Sequence, residues 1–236
     1  MTRPLENRIA LVTGASRGIG YYAALALAKA GAHVVAVART TGGLEELDDA
    51  IRREGGSATL VPLDIRDFPA LDRLGQSIFD RWGRLDAVLG NAGSLGVLTP
   101  LGHLDPKVFQ EVIEVNVTAN WRLIRSLDPL LKKSDAGRAL FVSSAAARFH
   151  PAYWGAYNLT KAALESLALT YAAECAQTDV KVNLLDPGAV RTAMRAKAFP
   201  GEDPDTLPKP SALAPLIVEL LSPSNGKNGE LVTFRA

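Results

Sequence analysis

One cysteine, Cys175, in 236 residues excludes an intramolecular disulfide framework and a Cys-based zinc site, and it suits a reducing cytoplasm. Excess charge of either sign is missing as well. Against 26 Lys plus Arg stand 25 Asp plus Glu, and a formal charge of +1 provides no field to gather nucleic acid or anionic lipid. Long apolar runs are also absent. The run 9–12 is too short and too charged at its flank for an export signal. The longest stretch without formal charge, 87–104, contains Asn91, Pro100 and several glycines, unlike the roughly 20 apolar residues that cross a bilayer. A soluble, cytoplasmic protein without membrane or nucleic-acid partners is expected. No internal repeat is visible. The hydrophobic fraction of 47% against 22% charged supplies a large core and points to one α/β domain.

Seven short, β-rich runs (8–13, 33–38, 57–62, 85–90, 138–143, 180–185 and 230–234) alternate with longer helix-like segments (18–30, 43–54, 69–82, 106–131, 156–176 and 211–221). Such alternation predicts right-handed βαβ crossovers and a seven-stranded parallel sheet in a single-domain, Rossmann-type doubly wound fold. The runs 9–12 and 34–37 are apolar throughout, as expected of interior strands covered on both faces. Segment 192–210, with Pro200, Pro204, Pro208, Pro210 and Gly201, reads as a mobile loop of a length usual for a substrate loop or lid.

The first strand runs into Thr13-Gly14-Ala15-Ser16-Arg17-Gly18-Ile19-Gly20 and then a helix. Glycines there allow a tight turn, and the helix N-terminus offers unpaired N–H groups to a pyrophosphate. No Gly-Lys-Ser/Thr follows, which argues against a nucleoside triphosphate loop. A Rossmann-type fold reads the adenosine ribose at the end of the second strand. There the chain has Ala38-Arg39 and no carboxylate, so Arg39, with Arg17 as a second cation, favours the 2′-phosphate of NADP over NAD. Tyr157 and Lys161 lie four apart on a helical stretch and share a face. An ammonium beside a phenol would lower its pKa from about 10 toward a useful range.

In order and spacing, Gly14-x-x-x-Gly18-x-Gly20, Asn91-Ala92-Gly93, Asn116, Ser144, Tyr157-Asn158-Leu159-Thr160-Lys161 and Pro187-Gly188 resemble the short-chain dehydrogenase/reductase family over nearly the whole chain. The resemblance implies a catalytic tetrad of Asn116, Ser144, Tyr157 and Lys161. Ser144 would hydrogen-bond the substrate oxygen, Tyr157 would pass it the proton, and Lys161 would also hold the nicotinamide ribose. Asn116 would bend the helix 106–131 and anchor a water linking Lys161 to solvent. The spacing to Tyr157 favours Ser144 over its neighbour Ser143. The resemblance also implies that Gly14, Ser16, Gly18, Ile19 and Gly20 line the pyrophosphate turn and that Asp64 and Ile65 border the adenine. Asn91, Ala92 and Gly93 would lie beside the riboses, while Pro187, Gly188, Val190 and Thr192 would hold the carboxamide. Gly90 departs from the pattern, standing where many relatives have a second Asn.

The segments 94–98 and 146–154 and the loop after Thr192 are expected to form the substrate pocket, with Phe149, His150, Tyr153 and Trp154 offering apolar surface. His150 has no second ligand at metal spacing, so no metal is expected. The helix 156–176 is apolar around most of its circumference, which favours a homo-dimer or homo-tetramer. The sequence ends sooner than usual after the last strand, leaving subunit geometry open. The expected activity is hydride transfer between NADP(H) and a small carbonyl or secondary alcohol. The alternatives are a catalytically silent NADP-binding sensor, a C=C reductase, or a 3-oxoacyl-carrier-protein reductase. The last is disfavoured because the end of the catalytic helix carries Glu174 and Asp179 and no base to meet an acidic carrier.

Overall fold

The computed structural model describes residues 3–235. In chain order the elements are β1 (Ile9–Thr13), α1 (Gly18–Lys29), β2 (His33–Ala38), α2 (Thr41–Arg53), β3 (Ser57–Pro62), α3 (Phe68–Trp82) and β4 (Ala87–Gly90). There follow α4 (Pro106–Ile113), α5 (Ala119–Leu131), β5 (Arg138–Val142), α6 (Ala146–Phe149), α7 (Gly155–Glu174), β6 (Lys181–Asp186), α8 (Ala193–Ala198), α9 (Ala214–Leu220) and β7 (Leu231–Thr233). The seven strands pair in parallel in the order β3-β2-β1-β4-β5-β6-β7.

Strand alternation divides the apolar residues between two cores. Ala10 and Val12 of β1 and Val34 and Ala36 of β2 face Leu27 of α1, Leu47 of α2 and Ile217 of α9. Ile9, Leu11, Val35 and Val37 point the other way, toward Leu74 of α3, Leu127 of α5 and Leu164 of α7. Continuous apolar strands are what two covered faces require. Because the chain winds outward in both directions from the β1/β4 pair, the loops after these strands diverge and leave a crevice at the carboxyl edge of the sheet.

Two expected elements differ. The stretch 106–131 is not one α-helix: α4 and α5 are joined by a π-helical turn, Glu114–Thr118, in which the Ala119 N–H reaches the Glu114 carbonyl. An insertion of this kind relocates the groups around it and is common at functional sites. The segment 192–210, expected as a loop, contains α8, capped by the Thr192 hydroxyl, which accepts from Arg195 N at 3.1 Å. Its prolines instead fall outside α8, at Pro200 and beyond. Among the described residues, no helix is long and apolar enough to cross a membrane.

Candidate active site

The glycine turn between β1 and α1 is built around positive backbone angles at Gly14 (φ 68°) and Gly18 (φ 59°). A Cβ at Gly14 would lie 2.9 Å from Asn91 Nδ2, and one at Gly20 only 2.3 Å from the Gly14 carbonyl. Side chains other than hydrogen therefore do not fit where α1 meets the β1 and β4 loops. Helix α1 has no acidic residue in its first turn and no side-chain cap. Its first N–H groups are left to an anion, the arrangement that a helix macrodipole favours. Arg17 is exposed at the N-cap, and Arg39 is exposed at the end of β2. Ser16 and Ile19 are half-buried in the turn.

The Arg39 guanidinium lies 3.9 Å from the Asp64 carboxylate, but Arg66 holds that group more closely, at 2.9 Å and again through its backbone N–H at 3.0 Å. This pairing, unforeseen from the sequence, holds Asp64 below the usual carboxylate range. The Ile65 side chain is buried in the core. Asn91 ties the loop after β4 to β1, donating from Nδ2 to the Thr13 carbonyl at 2.9 Å, while the Thr13 hydroxyl accepts from the N–H groups of Asn91 and Ala92. Gly93 lies beside the residues of the next layer: a Cβ there would be 3.4 Å from Asn116 Oδ1 and 3.7 Å from Lys161 Nζ.

Asn116 sits in the π-helical turn, fully buried. Its side chain accepts from Ser94 N at 2.8 Å and donates to the Ser94 carbonyl and to Thr160 Oγ1, both at 2.9 Å. The Thr160 hydroxyl in turn donates to the Tyr157 carbonyl at 2.9 Å. One carboxamide thereby links the loop after β4 to the first turns of α7. Asn116 lies in the π-helical turn that interrupts 106–131, and its carbonyl accepts from Asn120 Nδ2 at 2.8 Å. Asn120 occupies the space over Gly90, where a Cβ would be 2.7 Å from its Oδ1, so the departure at position 90 accommodates a side chain from α5.

Tyr157 and Lys161 share one face of α7, both buried. Lys161 Nζ donates to the Val142 carbonyl at 2.7 Å and lies 5.6 Å from the Tyr157 ring centroid. Burial pushes the lysine down to about 8, opposed by the charge of Glu165. Burial also pushes the Tyr157 phenol up to about 12; a side-chain hydrogen bond with Ser144 acts in the opposite direction, and the charge of Asp186 adds to the rise. The expected lowering of the phenol by Lys161 is thus not produced by the chain's own groups. Desolvation of the buried phenol dominates. Ser143 is buried and donates to Glu165 at 2.6 Å, whereas Ser144 interacts with the phenol.

The family model described as short chain dehydrogenase matches residues 8–203. The chain belongs to the short-chain dehydrogenase family. An uncharacterized oxidoreductase of Escherichia coli K12, YciK, is 42% identical over 98% of this chain and 92% of its own. A short chain dehydrogenase of Shigella flexneri 2a complexed with NADP superposes with a TM-score of 0.94 at 40% identity, covering 99% of both chains. One from Escherichia coli CFT073 complexed with NADPH gives 0.92 at 40% identity, covering 99% of this chain and 98% of that one. The chain is therefore an oxidoreductase by family.

In this dehydrogenase, Pro187 and Gly188 turn away from β6, with Gly188 at φ 64°, and Val190 is anchored in the core. The Thr192 hydroxyl accepts the helix-capping bond and keeps its own proton to donate. Over Tyr157 stand Leu95, Leu98, Ala146, Trp154 and Ala198. The Trp154 ring meets Tyr157 edge-on at 5.8 Å and Phe199 at 5.6 Å. Lys197 of α8 reaches across to donate to the Gly96 carbonyl at 2.8 Å. Phe149 is 79% exposed, Tyr153 is also exposed, and His150 turns the chain in the left-handed region at φ 49°. Thr160, Arg148, Glu165 and Asp186 join the site without being singled out by the sequence pattern. Only Thr160 carried a signal, its place beside Lys161.

Proposed function

We propose that this chain is an NADP-dependent oxidoreductase that interconverts a carbonyl and the corresponding secondary alcohol, with Tyr157 as the proton-transferring group. The observation that carries the cofactor assignment is the end of β2, where Arg39 is exposed, the chain places no carboxylate, and the neighbouring Asp64 is held more closely by Arg66 than by Arg39. The residues fit the cofactor. The turn Gly14, Ser16, Gly18, Ile19 and Gly20 would hold the pyrophosphate, and Arg17 and Arg39 the 2′-phosphate. The backbone at Asp64 and Ile65 would border the adenine. Asn91, Ala92, Gly93 and Lys161 would flank the riboses, and Pro187, Gly188, Val190 and Thr192 the carboxamide. When bound, the nicotinamide supplies or accepts the hydride. Titration should give NADPH a Kd at least about tenfold below that of NADH, roughly 1.4 kcal/mol. Arg39→Ala should remove most of that preference; equal wild-type affinities or an unchanged preference in the variant would end the assignment.

In reduction, Ser144 steadies the substrate oxygen and Tyr157 delivers its proton; in oxidation the proton returns. Asn116, through Thr160, sets where α7 presents both groups. Lys161, buried and held by the Val142 carbonyl, places positive charge over the phenol ring, 5.6 Å from its centroid. Exposed Val97, Leu101, Phe149, Tyr153, Met194 and Phe199, on segments adjoining the Leu95, Leu98, Trp154 and Ala198 packed at Tyr157, support a compact free ketone, aldehyde or alcohol with an apolar flank. The cations on α8 and the chain before it are engaged, Arg195 with Glu202 and Arg191 with Asp205, and on α5 Arg122 is paired with Asp72 of α3. An acidic carrier protein finds little free positive charge there. Segment 192–210 acts in this reading as a lid held by Lys197 and Phe199. Comparing NADPH oxidation on a panel of free aryl and alkyl ketones with a 3-oxoacyl carrier-protein thioester tests the choice, and higher kcat/KM for the thioester would reverse it. Exposed Leu159 and Leu169 on α7 and Trp121 on α5 support a homo-oligomer.

A further inference from the structure

Behind Ser144 lies a second group of charges. The guanidinium of Arg148, on α6, forms ion pairs with Glu165 through Nη1 and with Asp186 through Nη2. Its side chain is 34% exposed, while those of Glu165 and Asp186 are only 15% and 4% exposed. Two nearly buried carboxylates thus share one cation that reaches in from the surface. Each carboxylate has a further attachment. Glu165 accepts from the Ser143 hydroxyl at 2.6 Å and lies one helical turn beyond Lys161. Asp186 ends β6 and accepts from the Gly188 N–H at 3.1 Å, while its carbonyl accepts from Phe234 N at 2.9 Å.

We propose that Arg148 is a positioning residue for the reaction, a two-carboxylate clamp that holds the serine loop, helix α7 and the Pro187–Gly188 turn in fixed relation. Separate elements supply these parts, and the guanidinium fork is what joins them; a bidentate cation suits the task because it satisfies two acceptors in fixed geometry. Charge supports the same conclusion. Glu165 favours the ammonium of Lys161, and Asp186 opposes ionisation of Tyr157. Arg148 offsets both carboxylates. Of the other groups near the pair, Ser144 is neutral, and on α8 Arg195 is taken by Glu202 and Lys197 by the Gly96 carbonyl. Without Arg148, the field of Glu165 would act on Lys161 unopposed. The relevance to turnover rests on the reading of Tyr157 as the proton-transferring group, but the clamp itself can be measured without turnover.

Lysine-selective NMR titration of the folded protein provides the measurement, with Lys161 identified as the resonance missing from Lys161→Met. Wild type is expected to show this lysine titrating near pH 8, apart from the rest. Arg148→Gln, whose amide can still donate to one carboxylate, and Arg148→Met should each raise the midpoint by roughly half a pH unit or more, about a threefold change in the dissociation constant. Glu165→Gln should lower it. A folded Arg148 variant with the wild-type midpoint, or a wild type without a lysine titrating in this range, overturns the proposal. Should neither variant fold, Arg148→Lys decides: its single ammonium should keep the midpoint but lower kcat severalfold with little change in KM. Unchanged kcat would overturn the clamp. Loss of the proposed reaction chemistry would appear instead as full activity in Tyr157→Phe, with these midpoints unaffected.

Discussion

Tyr157→Phe is expected to lower kcat by about 10²–10⁴-fold, the usual contribution of a positioned proton donor, while NADPH affinity changes by no more than about twofold. The substitution removes one oxygen and leaves the ring. That ring packs edge-on against Trp154 and below Lys161, so the apolar surroundings of the site persist. The fold should be little affected, since the ring and its packing persist. Because burial pushes the phenol up to about 12, the chain's own groups hold it protonated at neutral pH. That is the form needed to reduce a carbonyl. Reduction should accordingly change little across roughly pH 6–8, whereas the reverse oxidation should rise with pH. Steady-state rates in both directions, with cofactor binding followed by fluorescence, test this. Wild-type turnover in the variant would remove Tyr157 from the mechanism.

Lys161→Met should produce two opposite effects: turnover at least about 10²-fold lower, and a more stable protein at neutral pH. The reason lies in the buried ammonium. Burial pushes the lysine from its ordinary 10.5 down to about 8, a native-state penalty of about 3 kcal/mol below pH 8. The sign follows from the proton count: between pH 8 and 10.5 the unfolded chain binds more protons, so wild-type stability gains from this group as pH rises. Methionine fills similar volume without charge. It leaves the Val142 carbonyl without its donor, at a cost of about 1–2 kcal/mol, so a net gain of roughly 1–2 kcal/mol and a thermal midpoint a few degrees higher are expected at pH 7. The difference should shrink toward pH 10. A variant less stable than wild type at pH 7 would mean that the ammonium is not penalised by its surroundings, and undiminished turnover would exclude a catalytic role.

What the sequence reveals depends on whether the partners are close along the chain. The strands are legible because each is a short apolar run, and Tyr157 and Lys161 are legible because a helix repeats their face every four residues. Gly14 and Gly18 announce themselves since few other residues tolerate positive φ. The π-helical turn is hidden: 106–131 keeps helical composition throughout, and the widened turn is fixed by the contacts of Asn116 with Ser94 and Thr160. Helix α8 escapes notice because the prolines around it dominate the composition. Arg148, Glu165 and Asp186 come from three elements at unrelated spacings, and nothing local marks any one of them. The state of the phenol is likewise not legible in the spacing, since depth of burial is a property of the folded chain.

The π-helical turn also works as a phase shift. Each residue advances an α-helix by 100°, so one surplus residue reorients everything after it by about that angle. Helix α4 packs on α7, whereas α5 packs on α3 and presents Leu123 and Leu127 to the sheet. An uninterrupted helix could not satisfy both neighbours with the same apolar stripe. Deleting a single residue between Glu114 and Thr118 would yield a more regular rod, yet it would carry Leu123 and Leu127 out of the core and swing the half-exposed Trp121 about the helix axis. Insertions and deletions at this point are thus constrained by angle rather than by length, because the turn is continuous with α4 on one side and α5 on the other.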